Sequence, residues 1–505
     1  TRGENSTLFE TVKLKARKSN KEKNRGIKIK MRKKIVLLLI ITGSINSFGQ
    51  QPAYTSNDSL TIRNIFDEAL LKGESYLNLN VLCKSIGHRL TGSPQADQAV
   101  NWAQQEVSDY QVSRVYKQEV TAVRWVRGDI ESVSVQQISP SPQKSHAKSK
   151  LEKHKLYATA LGGSVGTNGP LTAPVVEVGS IAELAKFTEN ELRGKIVFLN
   201  GPMDKTQIST FDAYGACVSQ RYAGASESAS YGAIGVLVRS MTTLTDEHAH
   251  AGSMSYKKGV TQIPAAAIST SDADMLHEYL QFYGTMEATL NFNCYTAADS
   301  AKTSNLVAEI KGTENPEQII VFGAHIDSWD LGEGAHDDGA GVVQCMEVLR
   351  LFNALNIKPK NTIRMVLYMN EENGNMGGKT YAANAKLAGE NHICALESDR
   401  GGFSPRGFSI DGKEAQLAVI QQWQSLLDPY GLHYFKPGYG GVDIGPLKNE
   451  EKRAREEEQR VIDESPIISL PRLTSAPPIL FTQNPTAKRV LKNTPRLHRR
   501  VTRNN

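Results

Sequence analysis

The sequence predicts an α/β protein built on a mixed open sheet with helices on its faces. Three short apolar runs, Ile319–Phe322, Ile363–Met369 and Ile393–Leu396, are rich in β-branched residues and bounded by turn residues, as buried strands are. Between the first two, Val342–Leu355 is apolar at helical spacing, which gives the order strand, helix, strand. Each run is followed by acidic or imidazole side chains, and open sheets of this class bind ligands at the carboxyl ends of their strands.

The side chains after these strands suit hydrolysis assisted by a bound metal. Imidazole and carboxylate groups are zinc ligands, and one carboxylate can bridge two ions. Of two adjacent glutamates, one can ligate while the other takes a proton from water whose pKa the ion has lowered to roughly 7. An aspartate two residues from a histidine can hold its second ring nitrogen. The candidates are His325, Asp327, Asp337, Glu371, Glu372 and Asp399.

Each of these motifs also has an ordinary explanation when it is taken alone. A single His-x-Asp is usually on the surface, a Glu-Glu pair is usually solvated, and Asp-Asp-Gly is usually a turn. The order of the motifs favours the metal site, because acids and a histidine recur at the ends of successive apolar strands.

Four motifs in one order resemble the M28 family of zinc peptidases: HIDSWD, GAHDDGAG, NEENG and ESD. Within that family, the carboxypeptidase Q (plasma glutamate carboxypeptidase) branch and its bacterial relatives are the nearest likeness, which extends from Ser85–Ala103 to Tyr439–Lys448. The resemblance implies the zinc-exopeptidase fold with an inserted protease-associated-type, β-rich domain.

The resemblance also implies roles for individual residues. His325, Asp337 and Asp399 would hold one zinc ion. Asp337 and Glu372 would hold a second, together with a histidine near the C-terminus. Glu371 would be the catalytic general base. Asp327, the other residue that we count as catalytic, is a candidate from its spacing alone, as the group that holds the second ring nitrogen of His325. The glycine-rich loop would contribute Gly440, Gly441 and Asp443 to substrate binding, although a tight loop explains these residues equally well.

The basic net charge of +6 is confined to the two ends of the chain. Residues 1–34 carry thirteen Lys and Arg against three Glu, and residues 451–505 carry twelve against six acids, so the rest is near −10. This distribution gives no case for nucleic acid. We interpret residues 1–30 as a non-native upstream segment, with a disordered basic arm as the alternative. Residues 31–49 have the pattern of a signal peptide, which predicts a secreted or periplasmic protein without a stable membrane anchor.

The middle of the chain divides into three predicted segments. Residues 50–138 form the N-terminal part of the peptidase domain, with helices near 59–71 and 95–107 and two paired strands over 112–135. Residues 139–292 form the inserted domain, and residues 293–448 form the metal-binding core. Five scattered cysteines without a CxxC pair predict no specific disulfide, and Cys345 and Cys394 are expected to be buried thiols.

The likeness ends after Lys448. Residues 449–505 contain a charge block, show no convincing strand alternation and have one histidine, His498, among arginines. We interpret this segment as an aberrant, possibly frame-shifted tail, which would leave the second zinc without its imidazole and a sheet edge uncovered.

Three functional hypotheses follow. The first is a secreted, zinc-dependent exopeptidase of the carboxypeptidase, aminopeptidase or dipeptidase type that cleaves short peptides. The second is an inactive or metal-deficient remnant, favoured by the missing histidine, and zinc counting separates it from the first. The third is a single-zinc acyltransferase like glutaminyl cyclase, against which the Glu-Glu pair and the insert argue. Peptide preference and a homodimer stay open.

Overall fold

The structure, a computed structural model, describes residues 54–140, 152–448 and 479–483. The interpretations of residues 1–30, of the signal peptide at 31–49, of His498 and of most of the tail concern residues outside these ranges. No helix in these ranges has the length and hydrophobicity that a membrane span requires. All five cysteines are free thiols; Cys345 is buried, as predicted, and Cys394 is partly buried.

Strands are numbered in chain order. They are β1 (Arg114–Val126), β2 (Glu131–Pro140), β3 (His154–Leu156), β4 (Ala158–Ala160), β5 (Leu171–Val178), β6 (Ile196–Leu199), β7 (Gly235–Arg239), β8 (Ala265–Ile268), β9 (Gly284–Phe292), β10 (Tyr295–Ile310), β11 (Asn315–His325), β12 (Asn361–Tyr368), β13 (Asn391–Glu397), β14 (Gly407–Asp411), β15 (Tyr434–Pro437) and β16 (Ile479–Gln483).

Helices are numbered in the same way. They are α1 (Ser56–Lys72), α2 (Ser75–Asn80), α3 (Pro94–Ser108), α4 (Glu189–Leu192), α5 (Thr210–Cys217), α6 (Ser219–Tyr222), α7 (Gly224–Ala229), α8 (Thr270–Phe282), α9 (Ala340–Ala354), α10 (Met376–Leu387), α11 (Glu414–Gln421) and α12 (Gln424–Leu427).

The first sheet positions the candidate site, in the order β1-β10-β12-β11-β13-β16-β14-β15. Strands β12, β11, β13 and β16 run parallel to one another. The β1–β10, β10–β12 and β14–β16 pairs are antiparallel, and β15 pairs parallel with β14. Because parallel strands end at one edge, the residues that follow β11, β12 and β13 meet there. The predicted mixed sheet is confirmed.

Both faces of this sheet are covered, which explains why its central strands are continuously apolar. The last five residues of β11 and of β12 are all buried. On one face α3 and α9 pack through residues such as Ala99, Val342 and Met346. On the other face α10 packs through Tyr381 and Ala385. A parallel strand covered on both faces shows an apolar run rather than alternation.

The second sheet is formed by strands between Glu131 and Phe292, in the order β3-β2-β9-β5-β6-β7-β8-β4. Strands β5 to β8 are parallel, and β6, β7 and β8 are entirely buried. This sheet is the β-rich part that the sequence predicts.

Two expectations about individual strands are wrong. We expected paired strands over 112–135, but β1 pairs with β10 of the first sheet and β2 pairs with β9 of the second. We also found no strand pattern after Lys448, yet Ile479–Gln483 forms β16 between β13 and β14. Register with two existing strands, rather than alternation within five residues, determines this placement.

Candidate metal centre and substrate cleft

The imidazole of His325, the last residue of β11, is the centre of the site. Its Nε2 lies 3.0 Å from Asp337 Oδ1, 3.4 Å from Asp399 Oδ1 and 3.9 Å from Glu371 Oε2. The ring is 1% exposed, and its Nδ1 lies 3.0 Å from the main-chain carbonyl of Asp327. The sequence-predicted residues on three strand ends are therefore brought together at one nitrogen.

Asp327 has a different contact from the one expected. We expected its carboxylate to hold His325, but that carboxylate is 3.8 Å from Nδ1, and the backbone carbonyl takes its place. The carboxylate instead accepts hydrogen bonds from the backbone N–H groups of Glu371 at 3.1 Å and Glu372 at 3.4 Å, and from the Thr91 hydroxyl at 3.1 Å. Asp327 therefore ties the end of β11 to the loop after β12.

Asp338 is a site residue that the sequence reasoning missed. Its oxygens accept the backbone N–H groups of His325 at 3.2 Å and of Gly341 at 3.0 Å, and it is fully buried. Asp338 is therefore turned towards backbone donors in the interior, whereas the side chain of Asp337 is 66% exposed and lines the cleft. Of the two, Asp337 is better placed for a metal that enters from the cleft.

Arg89 holds the loop that follows β11. Its buried guanidinium donates to the carbonyls of Gly87, Ile326, Glu333 and Gly334 at 2.8 to 2.9 Å. No sequence pattern predicts this role, because Arg89 contacts backbone carbonyls, which every residue has.

Crowded carboxylates dominate the electrostatics of the site. Burial raises the pKa of Glu371 to about 8. The positive charge of His325 opposes this shift, and the negative charge of Asp399 adds to it. Burial and the charge of Asp337 raise the pKa of Glu372 well above its ordinary value. The protein groups that surround Asp337 in the cleft partly desolvate it and oppose its ionisation, although its side chain reaches the cavity. Its hydrogen bond to His325 nevertheless lowers its pKa overall. Carboxylates packed this closely ionise together only when a cation neutralises them.

The donor set fits zinc. One ligand atom each from His325, Asp337 and Glu372 lie within 4.8 Å of one another, and so do atoms of His325, Asp338 and Asp399. A set of one imidazole and several carboxylates is typical of zinc and less typical of calcium or magnesium, which prefer oxygen alone.

No second imidazole completes this set among the described residues. His336 is next to Asp337, but the Gly402 N–H donates to its Nδ1 at 3.3 Å and its ring packs on Phe403 at 5.2 Å. His433 is exposed and lies 3.7 Å from Asp428, away from the centre.

Two cavities meet at the glutamates. The larger, of about 600 Å³, lies between Asp337, Glu371, Glu372 and Asp399 and the α5–α6 region of the second sheet. The smaller, of about 440 Å³, lies on the other side of Glu371 and Glu372. Ser253 and Val442 line both cavities, which together form the cleft.

The glycine-rich loop contributes to the cleft differently from the expectation. We expected Gly440, Gly441 and Asp443 to line the substrate site, but all three are buried, and Val442 is the loop residue on the cavity walls. The carboxylate of Glu397 fixes the loop by accepting the N–H groups of Val442 and Asp443 at 2.9 and 2.8 Å. A Cβ on Gly441 would lie 2.4 Å from that carboxylate, which explains the glycine.

Comparisons with known proteins agree with this geometry. The model of peptidase family M28 matches residues 305–451, the stretch that carries the candidate metal ligands. Carboxypeptidase Q of Bos taurus is 31% identical over 396 residues, which cover 78% of this chain and 79% of the relative. Carboxypeptidase Q of Homo sapiens is 32% identical over 374 residues, 74% of each chain.

Solved structures extend the likeness to the fold. A peptidase M28 precursor from Shewanella amazonensis SB2B is 33% identical, with a TM-score of 0.70 over 77% of this chain and 85% of its own. A zinc aminopeptidase from Bacillus subtilis shares the fold at 17% identity, with a TM-score of 0.51 over 75% of this chain and 82% of its own.

Proposed function

The chain belongs to peptidase family M28 and is a metallopeptidase, and we propose that it is a zinc-dependent exopeptidase that hydrolyses short peptides. The observation that carries this proposal is the convergence of Asp337, Asp399 and Glu371 on His325 Nε2, on the wall of a cleft large enough for a short peptide.

We assign zinc ligation to His325, Asp337 and Asp399, with Glu372 and Asp337 as the carboxylates of a second ion. Bound zinc would supply Lewis acidity, which polarises a carbonyl group and lowers the pKa of water. The second set contains carboxylates but no imidazole within the described ranges, so we expect it to bind zinc more weakly than the first.

Glu371 is the residue we assign as general base. Its side chain lines both cavities, and its backbone is fixed by Asp327. It would take a proton from the attacking water and deliver that proton to the leaving amine nitrogen as the peptide bond breaks. Asp327 would act by orientation, since its carboxylate is buried and contacts backbone N–H groups.

The test of this assignment is Glu371→Gln. The amide cannot accept the proton, so dipeptide hydrolysis should fall by about 10²- to 10⁴-fold while the zinc content stays the same. The matched control is Glu333→Gln, which changes a half-exposed glutamate in the loop after β11. A Glu371→Gln enzyme with wild-type activity would refute the assignment.

We also propose that the protein is exported, on the strength of the signal-peptide pattern at residues 31–49. Expression in a Gram-negative host should give a mature chain that starts at Gln50 in the periplasm or medium. An uncleaved chain in the cytosol would contradict export.

A further inference from the structure

A contact between Arg400 and Phe211 crosses the larger cavity from one wall to the other. The guanidinium carbon of Arg400 lies 4.1 Å from the centroid of the Phe211 ring, within the range of a cation–π interaction. Both residues line the cavity. Arg400 follows Asp399 at the edge of the first sheet, whereas Phe211 lies on α5, between β6 and β7 of the second sheet. The contact therefore joins the two sheet regions between which the cavity lies.

The packing of α5 directs Phe211 towards the cavity. Ala213 and Cys217, four residues apart and so on one face of the helix, pack in a small buried cluster. Phe211 and Tyr214, three residues apart, belong to the face that lines the cavity. Their rings meet edge to face, with centroids 6.2 Å apart. The position of the Phe211 ring is therefore determined by the helix and by its aromatic neighbour.

Along α5, Tyr214 is the ring nearer the metal-site carboxylates. Burial raises the pKa of its hydroxyl, Arg221 opposes that shift, and the charges of Asp337 and Glu372 add to it, so these carboxylates are close enough to act on it. Phe211 lies three residues earlier, about 4.5 Å along the helix axis, and is 39% exposed. The Phe211 ring thus stands at the outer end of this wall.

The backbone fixes the other partner of the contact. Arg400 lies between Asp399, whose Oδ1 is 3.4 Å from His325 Nε2, and Gly401, where the chain turns with a φ of 81°. A Cβ on Gly401 would clash with the His336 ring, so the imidazole packs directly on this glycine. Moving Arg400 away from Phe211 would therefore displace a candidate metal ligand.

An exposed aromatic ring alone carries little meaning, because single apolar side chains are common on protein surfaces. Phe211 differs because its ring face is covered by a cation from the opposite side of a cavity beside the metal centre. A peptide that filled the cavity and continued past this contact would have to part the ring from the guanidinium. The contact is therefore a barrier to a longer chain.

We propose that the contact between Phe211 and Arg400 limits the larger cavity to one substrate residue beyond the scissile bond, with Phe211 as the specificity-determining residue. One extended residue spans about 3.5 Å, comparable with the about 4.5 Å that separates Phe211 from Tyr214 along α5. The enzyme then releases single residues from a peptide end, and not dipeptides. This inference rests on the proposed peptidase function and specifies the length of the fragment that is released.

Tetraalanine tests this limit, because removal of one residue from either end gives alanine and trialanine, whereas removal of two gives dialanine alone. The zinc-loaded, full-length wild type should form alanine and trialanine as its initial products. Phe211→Ala should raise the ratio of dialanine to trialanine in the initial products by about 3- to 30-fold, the range that corresponds to loss of a cation–π contact. If the wild type cleaves dialanine but leaves tetraalanine intact, Phe211→Ala should begin to release dialanine from tetraalanine.

Two control variants separate the effect of the ring from other effects. Phe211→Tyr keeps a ring face for Arg400 and should retain the wild-type products. Ile208→Ala removes a 90% exposed side chain three residues before Phe211 and should also retain them. The zinc content of every variant is measured beside the products, so that a loss of the metal centre is recognised.

A binding measurement keeps the limit testable apart from catalysis. Trp329 lines the same cavity, so its fluorescence reports the binding of dialanine and tetraalanine. In Phe211→Ala the ratio of the two dissociation constants should shift in favour of tetraalanine by about 3- to 30-fold. A wild type that hydrolyses neither peptide would refute the proposed function, and binding would then decide the length limit on its own.

Three results would overturn the proposal. One is a wild type that forms dialanine from tetraalanine as its main initial product. Another is a Phe211→Ala enzyme with the wild-type product ratio or, without catalysis, the wild-type ratio of dissociation constants. The third is an equal loss of all products in Phe211→Ala together with a lower zinc content, which would identify the contact as a support of Asp399 instead.

Discussion

Asp327 is the residue on which the alignment of the two glutamates depends. Its two oxygens accept the N–H groups of Glu371 and Glu372, and an asparagine retains one acceptor oxygen while it turns an NH₂ towards the other donor. Asp327→Asn should therefore weaken zinc binding by about 10- to 100-fold. Competition with a chromogenic chelator measures this affinity, with exposed Asp204→Asn as control. Equal affinities would show that the loop does not depend on this carboxylate.

We expect His392 to make the stability of the protein depend on pH. It is 4% exposed and lies 2.7 Å from the Tyr381 hydroxyl, and burial lowers its pKa to about 4, against about 6.5 in the unfolded chain. The unfolded state thus binds a proton more readily, and stability is lost as the pH falls from 6.5 towards 4.

Replacement by glutamine isolates this contribution. Between pH 7.5 and 5 the wild type should lose about 2 kcal/mol more than His392→Gln, since glutamine keeps an acceptor for Tyr381 but does not titrate. Urea unfolding at several pH values measures the difference. Parallel curves for the two proteins would contradict a buried neutral imidazole.

At the scale of single residues, the sequence predicted the site side chains that are acidic or imidazole groups and that follow apolar strands. His325, Asp337, Glu371 and Asp399 follow apolar strands, and the structure brings them together. It did not predict Arg89 or Asp338, because their hydrogen-bond partners are backbone groups, which any residue provides.

Among the elements, β16 joins β14 and β15 to the rest of the first sheet. It lies between β13 and β14, with Phe481 opposite Leu396 on one side and Ile410 on the other. In a strand with neighbours on both sides, a proline removes a ladder hydrogen bond. Phe481→Pro should destabilise the protein by about 3 kcal/mol or more.

The control is Phe481→Val, which replaces the same side chain but keeps the backbone N–H and a strong strand former. Thermal melting of the two variants separates loss of the backbone bond from loss of the side chain. If proline and valine gave the same melting temperature, residues 479–483 would not be part of the folded sheet.

The elements that the sequence predicted well are those with a clear helical spacing of apolar residues or a continuous apolar run. Helices α1, α3 and α9 and strands β11, β12 and β13 lie within a few residues of their predicted positions. The pairing of β1 with β10 and the place of β16 could not be predicted, because each depends on hydrogen bonds to strands distant in the chain.

At the scale of the whole molecule, the cleft is shared between the two sheets. Carboxylates at the edge of the first sheet line one side of the larger cavity, and the α5–α6 region of the second sheet lines another with residues such as Phe211 and Tyr214. The sequence predicted both sheets but not the shared cleft, because packing alone determines which residues of the second sheet region face the cavity.

The most direct test of the account is the zinc stoichiometry of the full chain by native mass spectrometry, with the wild type beside His325→Ala. The central claim, a zinc centre built around His325, predicts at least one tightly bound zinc per wild-type chain and a second at higher zinc concentration. His325→Ala should lose the tight ion, because it removes the nitrogen on which the carboxylates converge. A wild type that binds no zinc at micromolar concentration, or a variant that binds it equally well, would contradict the account.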